Sequence, residues 1–165
     1  MGLDMYLRAK KYVNKVDWKV LHDNYDLTYN SPEAVLPDFK SIVDTAGLSD
    51  LATDVQGTEV SVTAAYWRKS NQIHSWFVRN VQNNVDDCGE YYVSHEKLEE
   101  LREICRLTLF EKNPIALAPV EGFFFGSTDI DQYYWEDIKR TIKMIDKITK
   151  HKEYSNLSFY YSSSW

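Results

Sequence analysis

The sequence has few of the features that mark secreted, membrane-spanning or disulfide-bonded proteins. Its 165 residues include only two cysteines, Cys88 and Cys105, which are too few for a disulfide framework and are typical of a reducing compartment. There is no apolar run of about 18 residues, the length that a membrane helix needs. The N-terminal stretch MGLDMYLRAKK lacks the basic-then-apolar order of a signal peptide. We therefore expect a cytoplasmic protein that does not enter a membrane.

The common signatures of nucleotide and metal sites are also missing. The chain contains neither the GxxxxGK[ST] pattern of a P-loop nor the GxGxxG pattern of a dinucleotide fold. No CxxC or HxxxH spacing links the cysteines with His74 or His95, so we predict no zinc. The acidic run 86–90, DDCGE, is interpreted as a helix-to-strand turn because Asp and Gly are common turn residues. We predict neither a metal nor a cofactor.

Charge and aromatic content narrow the class of partner. The formal net charge is −6, and residues 17–54 account for all of it, with eight carboxylates against Lys19 and Lys40. An acidic protein is poorly suited to general nucleic-acid binding, which depends on Lys and Arg neutralising phosphates. Aromatic residues make up 15% of the chain, including 12 Tyr and 5 Trp. Such a surplus suits both cores and binding surfaces.

Hydrophobic periodicity predicts a single α+β domain over residues 1–165. Alternating apolar and polar residues predict about five strands in a mixed sheet, near 2–13, 58–64, 89–93, 120–126 and 156–161. Apolar residues at helical spacing predict three long helices: one over 66–81, one over 95–111 after a Ser94 cap, and one with Asp129 in its first turn that contains Tyr134, Ile138, Ile142, Ile145 and Ile148. Residues 14–57 read as an irregular acidic insertion or flap with one short helix near 38–46. The strand over 120–126 is expected to be central because its three phenylalanines cannot all face one side.

The predicted helix over 66–81 offers the first candidate binding site. At helical spacing Trp67, Asn71 and His74 fall on one stripe, so an aromatic plane, an amide and an imidazole would point the same way. Tyr66 is a second stacking candidate, and Arg68 is placed to pair with a phosphate. The alternative is that the amide and imidazole are satisfied by neighbouring backbone at the margin of a buried face.

The turn Gly126-Ser127-Thr128 offers the second candidate site. It lies between a predicted strand and the start of a helix, where free N–H groups and the helix dipole favour an anion. The alternative is that Ser127 or Thr128 only caps the helix, since Thr128 to Asp131 matches the [ST]-x-x-[DE] capping box.

Several stretches together resemble a family of small proteins from bacteriophage and bacterial genomes. They are MGLDMYLRAKKYV, YWRKSNQIHSWFV, DDCGEYYVS and GFFFGSTDIDQYYWEDI, with an aromatic and Ser-rich end at Trp165. The resemblance covers residues 1–13 and 58–165 and leaves out the acidic segment. The family has no established reaction, so the resemblance implies no catalytic residue. It implies a context, in which small phage proteins blunt host processes, including defence that signals through nucleotides.

Three functions follow as hypotheses. The first is a non-catalytic protein that sequesters a nucleotide-like molecule, as a homo-oligomer with pockets near an interface, using Tyr66, Trp67, Arg68, Asn71, His74, Gly126, Ser127 and Thr128. The second is an enzyme acting on a nucleotide or a protein, with His74 as general base. The third is an inhibitor that covers a basic surface of a host protein with residues 17–54. We favour binding over catalysis.

Overall fold

The computed structural model describes residues 2–122 and 125–165 and confirms the α+β class. The elements, in chain order, are β1 (Asp4–Asn14), α1 (Trp18–Asp23), α2 (Pro37–Thr45), β2 (Gly57–Arg68), α3 (Asn71–Asn80), β3 (Tyr91–Val93), α4 (His95–Glu111), α5 (Gln132–Thr149) and β4 (Ser158–Ser164). Short 3-10 turns lie at Ser49–Leu51, Ile115–Leu117 and Tyr154–Asn156.

The strands form one sheet in the order β2-β1-β4-β3. β1 and β4 are antiparallel, with Leu7 opposite Tyr161, and β3 and β4 are antiparallel, with Val93 opposite Phe159. The N-terminal and C-terminal strands are therefore neighbours at the centre of the sheet. This pairing joins the most distant parts of the chain, and it fixes the surface against which the helices pack.

The prediction of a mixed sheet of about five strands with three long helices is only roughly matched, because the described part of the chain has four strands, with antiparallel pairs β1–β4 and β3–β4, and five helices. The missing one is the strand expected over 120–126. Residues 120–122 and 125–126 are irregular, and Phe123 and Phe124 lie outside the described residues. The backbone N–H of Val120 donates to the Asn71 side chain instead of to a strand. Side-chain hydrogen bonds thus replace the ladder that local sequence predicted.

The core lies on one side of the sheet, where the helices cover alternate residues of the strands. On β1, Met5, Leu7 and Ala9 are buried, which matches the period-2 pattern of the sequence. The rings of Phe77 on α3 and Tyr161 on β4 stack with centroids 3.9 Å apart, so they fix α3 against the centre of the sheet. The helices α4 and α5 each add a buried stripe, as their spacing predicted: Leu98, Leu101 and Cys105 on α4, and Tyr134, Ile138, Ile145 and Ile148 on α5.

The chain divides into two compact units, residues 1–10 with 62–165 and residues 11–61. The second unit contains the whole of the segment 14–57 that was predicted to be irregular. The short helix expected near 38–46 is confirmed by α2, which buries Phe39 and Val43. The segment is nonetheless more ordered than predicted. It also contains α1 and a β-bridge between Val16 and Val35, and the buried Lys15 ammonium donates to Asn30 Oδ1 at 2.6 Å.

Helix α3 begins at Asn71, so the prediction of a helix from Tyr66 is wrong. β2 continues through Tyr66, Trp67 and Arg68, and its direction changes at Lys69, whose φ of 57° is left-handed. The Lys69 N–H donates to Leu3 O at 2.8 Å, which extends the pairing with the N-terminal strand. Aromatic residues favour strands, and this long-range pairing outweighs the helical spacing.

The predicted cap of α4 is confirmed, whereas that of α5 lies elsewhere. Ser94 Oγ accepts from the Lys97 N–H at 3.3 Å at the start of α4. For α5 the capping residue is Asp131, which accepts from the Tyr134 N–H at 3.1 Å. Thr128 lies before the helix, so the capping box that we assigned to Thr128 and Asp131 is wrong.

Candidate functional site

A cleft of about 430 Å³ lies in the larger unit, between the start of α3 and the start of α5. It is lined by the end of β2, the first turn of α3, the loop before α5 and the first two turns of α5. The lining residues are Arg68, Lys69, Gln72, Pro119, Gly126, Ser127, Asp129, Asp131, Tyr133, Tyr134 and Asp137. We call this the α3–α5 cleft. Its volume lies within the usual range of small-molecule sites.

Asn71 fixes one wall of the cleft. Its buried amide donates to Phe125 O at 3.2 Å and to Ser127 O at 2.9 Å, and its Oδ1 accepts from the Val120 N–H at 3.0 Å. One side chain at the start of α3 therefore holds two points of the loop that precedes α5. The loop also requires glycine at 126, where φ is +91° and an added Cβ would lie 3.1 Å from Lys69 Cβ.

Gln72 gives the cleft a buried hydrogen-bond donor, which lies near the Asp137 carboxyl but makes no hydrogen bond of normal geometry with any residue that the structure describes. The residue is only 3% exposed, and its Nε2 has no partner of normal hydrogen-bond geometry among the described residues. Leaving such a donor buried and unpaired costs about 1–3 kcal/mol. A bound molecule that presents an acceptor to Gln72 would remove this cost.

Asp137 on α5 is the ionisable group of the cleft whose environment is most unusual. Burial raises the pKa of its carboxyl, while the Ser70 hydroxyl, Arg140 and the nearby Gln72 amide lower it. The Ser70 Oγ donates to Asp137 Oδ2 at 2.6 Å, and the Gln72 amide lies close enough to the same carboxyl to lower its pKa. Carboxyl groups with pKa values raised by burial are concentrated at functional clefts.

The other charges of the cleft differ in how far they are already satisfied. Asp129 accepts from Ser127 Oγ at 2.8 Å, and Asp131 is occupied as the cap of α5. The cations Arg68 and Lys69 are both exposed at the mouth. Beside them the Tyr133 side chain is 75% exposed and offers a ring face to solvent. The mouth therefore combines two cations with an aromatic plane.

Three of the predicted site residues, Arg68, Gly126 and Ser127, lie together in this cleft. The exposed Thr128 follows them in the chain but does not line it. Tyr66 points elsewhere, since its hydroxyl donates to the Asp4 carboxylate. The cleft thus contains Arg68 from the first candidate site and Gly126 and Ser127 from the second.

Trp67, Asn71 and His74 do not form the exposed stripe that helical spacing predicted. Trp67 belongs to β2 and is fully buried, and its indole Nε1 donates to Thr141 Oγ1 at 2.9 Å. It offers no free face for a ligand to stack on. Asn71 contributes indirectly, by holding the loop. That Trp67, Asn71 and His74 take part in ligand binding stays a prediction.

His74 is the centre of a buried polar chain behind the cleft. It is 1% exposed, and its Nδ1 lies 2.7 Å from the Tyr161 hydroxyl while its Nε2 lies 3.1 Å from Asp86 Oδ1. In the neutral imidazole the first nitrogen accepts from Tyr161 and the second donates to Asp86. Burial lowers the pKa of His74, and Asp86 partly opposes this. Both nitrogens are occupied, which leaves no free base at this position.

Sequence patterns missed Gln72, Tyr133 and Asp137. Gln72 lies in the stretch predicted to be helical from Tyr66, and Asp137 lies in the third predicted helix, where neither residue type marks a site. One signal was present, because Tyr133 and Asp137 are four residues apart and so share a face of α5. What the sequence could not provide is the second wall of the cleft, which comes from α3 and β2.

Comparisons with known proteins do not assign the chain to a family. The chain matches no family model, no curated protein and no solved structure. The resemblance to small phage and bacterial proteins therefore stays a prediction. Within residues 2–122 and 125–165, no helix is long and apolar enough to cross a membrane. The same residues contain no group of three or more His, Cys, Asp or Glu side chains that could hold a metal ion.

Proposed function

We propose that the protein binds a small nucleotide-like molecule in the α3–α5 cleft and acts by sequestering it. The observation that carries the proposal is the buried Gln72 amide, which lies beside Asp137 in a cleft with exposed cations at its mouth and whose donor makes no hydrogen bond of normal geometry with the described part of the chain. Burying an unpaired donor is unfavourable in the empty protein, so a ligand acceptor would be recognised selectively.

The chemistry of the lining favours a planar base joined to an anion. Gln72 Nε2 and the Asp137 carboxyl offer a donor and an acceptor close together, which suits the edge of a nucleobase. Tyr133 supplies an exposed ring on which a base can stack. Arg68 and Lys69 can pair with a phosphate, for which a guanidinium is well shaped. If the phage resemblance holds, the ligand belongs among the nucleotides that signal in host defence.

Catalysis at this cleft would depend on Asp137 rather than on His74. His74 does not line the cleft, and both of its nitrogens are hydrogen-bonded. In the enzyme hypothesis, Asp137 therefore replaces His74 as the candidate general base. A ligand returned unchanged after a timed incubation supports sequestration, and a ligand returned altered supports an enzyme.

Native mass spectrometry of freshly purified protein, followed by calorimetry with a panel of nucleotides, tests the proposal. We expect binding by the native protein and weaker binding by Gln72→Leu, which removes the donor at similar side-chain size. Arg68→Gln should also weaken binding, whereas Arg79→Gln, an equal change of charge on an exposed residue of α3 outside the cleft, should not. Absence of binding across the panel, or equal losses in the two arginine variants, would overturn the proposal.

A further inference from the structure

A second surface of the molecule exposes aromatic residues that the protein itself does not cover. It lies in the unit of residues 11–61, where the short helix α1 has no buried residue. Trp18 on this helix and Tyr29 after it are each 46% exposed. Their rings meet edge to face with centroids 5.5 Å apart, so they form one continuous surface. Contiguous exposed aromatic surface commonly marks a place of interaction.

These two rings belong to a groove of about 450 Å³ with mainly apolar walls. We call it the aromatic groove, and it is lined by Trp18, Leu21, His22, Leu27, Thr28 and Tyr29. Leu21 and Leu27 are only half-buried. The groove can therefore accept apolar side chains from outside, and covering Trp18 and Tyr29 would remove large aromatic surfaces from water.

The charge around the aromatic groove restricts what can cover it. The unit of residues 11–61 carries four lysines against nine carboxylates, a formal charge of −5. Three of these carboxylates, Asp17, Asp23 and Asp26, are direct neighbours in sequence of groove residues. An apolar centre with a charged rim is the ordinary anatomy of a protein interface. The negative rim disfavours nucleic acid and anionic membranes and favours a cationic partner.

We infer that the aromatic groove is a docking surface for a basic, apolar-faced segment of a partner protein. An amphipathic helix rich in Lys or Arg has the matching chemistry, because its apolar side chains can enter the groove while its cations face the acidic rim. The groove shares no residue with the α3–α5 cleft, so the inference stands independently of the proposed ligand.

The test uses the full-length protein and three synthetic peptides of equal length. The first is an amphipathic peptide of leucine and lysine, the second replaces each lysine with glutamate, and the third is a lysine peptide without leucine. Binding is measured by calorimetry, and its position by amide hydrogen exchange. We expect only the leucine–lysine peptide to bind, with added protection over residues 17–29 and with affinity that falls as salt rises.

Matched variants separate the groove from general attraction to an acidic protein. Trp18→Ser should weaken binding of the leucine–lysine peptide by about tenfold or more, as expected for an aromatic anchor. Asp23→Asn with Asp26→Asn should also weaken it. Asp38→Asn with Asp50→Asn, an equal charge change at exposed residues that line neither the groove nor the neighbouring pocket that contains Tyr29, should have little effect. Far-ultraviolet circular dichroism checks that each variant is folded.

Four outcomes would overturn the inference. They are comparable binding of the glutamate peptide, equal losses in the two aspartate pairs, no binding of the leucine–lysine peptide, and protection outside residues 17–29. A fifth is self-association of the native protein in sedimentation that Trp18→Ser abolishes, because the groove would then be covered by a second copy of the chain.

Discussion

The helices α3 and α1 show how differently the two units use similar side chains. Both are short helices with aromatic residues. Seven of the ten residues of α3 are buried, including Trp76 and Phe77, whereas no residue of α1 is buried. The unit with α1 carries a charge of −5, and the rest of the chain, with a total of −6, carries −1. One unit uses its aromatic residues to build a core and shape a cleft, and the other presents them to solvent beside carboxylates.

The largest expected difference between the two regions is in stability. Phe77→Ala should lower the free energy of unfolding by about 3–5 kcal/mol, because it removes a fully buried ring that stacks on Tyr161. Trp18→Ala removes a larger ring but should cost only about 1 kcal/mol, because Trp18 is 46% exposed and loses mainly its edge-to-face contact with Tyr29. Urea unfolding measures both. Similar losses of unfolding free energy in the two variants would show that Trp18 stabilises its unit as much as Phe77 stabilises the other, which would contradict the comparison.

A smaller loss is expected when the wall of the α3–α5 cleft is released. Asn71→Ala should destabilise the protein by about 1–3 kcal/mol, because it leaves the Val120 N–H and two carbonyls without their partner. Amide hydrogen exchange should become faster at residues 120–122 and 125–127. Asn80→Ala is the matched control, since the Asn80 amide makes a single bond to Trp76 O within its own helix. An unchanged loop in Asn71→Ala would show that the loop is held by other contacts.

His74 should make stability depend on pH in the first unit. Its pKa is lowered in the folded protein, so the unfolded chain binds the proton more readily. The free energy of unfolding should therefore be highest above about pH 6.5 and fall as the pH drops below it, by at most about 1.4 kcal/mol per pH unit. Urea titrations between pH 5 and 8 measure the slope.

The substitution His74→Gln should flatten this pH dependence. His22→Gln, which changes an exposed imidazole in the second unit, should leave it unchanged. If both substitutions leave the slope intact, the buried chain from Asp86 to Tyr161 is not its source.

The smallest effect is expected at Asp137. Because burial raises the pKa of this carboxyl, its ionised form costs stability at neutral pH. Asp137→Asn should raise the urea midpoint slightly at pH 7. The difference in midpoint between the variant and the native protein should become smaller as the pH falls toward the pKa of Asp137. The same variant should weaken nucleotide binding, in line with the trade between stability and function. Asp146→Asn on the same helix, which loses ion pairs with Arg102 and Arg106, should not raise the midpoint.

Local sequence was sufficient where the structure depends on neighbours along the chain. The alternation of Met5 and Leu7 predicts the first strand, the Ser94 cap predicts the start of α4, and the short helix near 38–46 is present as α2. In each case the burial pattern or the capping group lies within a few residues of the element that it specifies. The same kind of signal was misleading for Gly126 and Ser127, which lie in an irregular stretch before α5 begins at Gln132 and not between a strand and a helix start.

The candidate site was predictable only in part, because most of it is made by contacts between distant residues. The helical spacing of Trp67, Asn71 and His74 was real, but the pairing of β2 with the N-terminal strand carried Trp67 into the core. Asn71 bonds to partners 49 to 56 residues away, and His74 bonds to Tyr161, 87 residues away, as well as to Asp86, 12 residues away. The predicted exposed stripe is therefore buried. Gln72 and Asp137 were unremarkable in sequence.

The sequence by itself thus determined the α+β class, the main helices and the concentration of acidic charge in one segment. These follow from periodicity, capping and composition, which act over a few residues or over simple sums. Only the tertiary structure decided where β2 ends, which polar groups are satisfied, and that Gln72 and Asp137 line one cleft. The reason is physical: burial and hydrogen bonding depend on what packs against a residue, and here the packing partners are far apart in the chain.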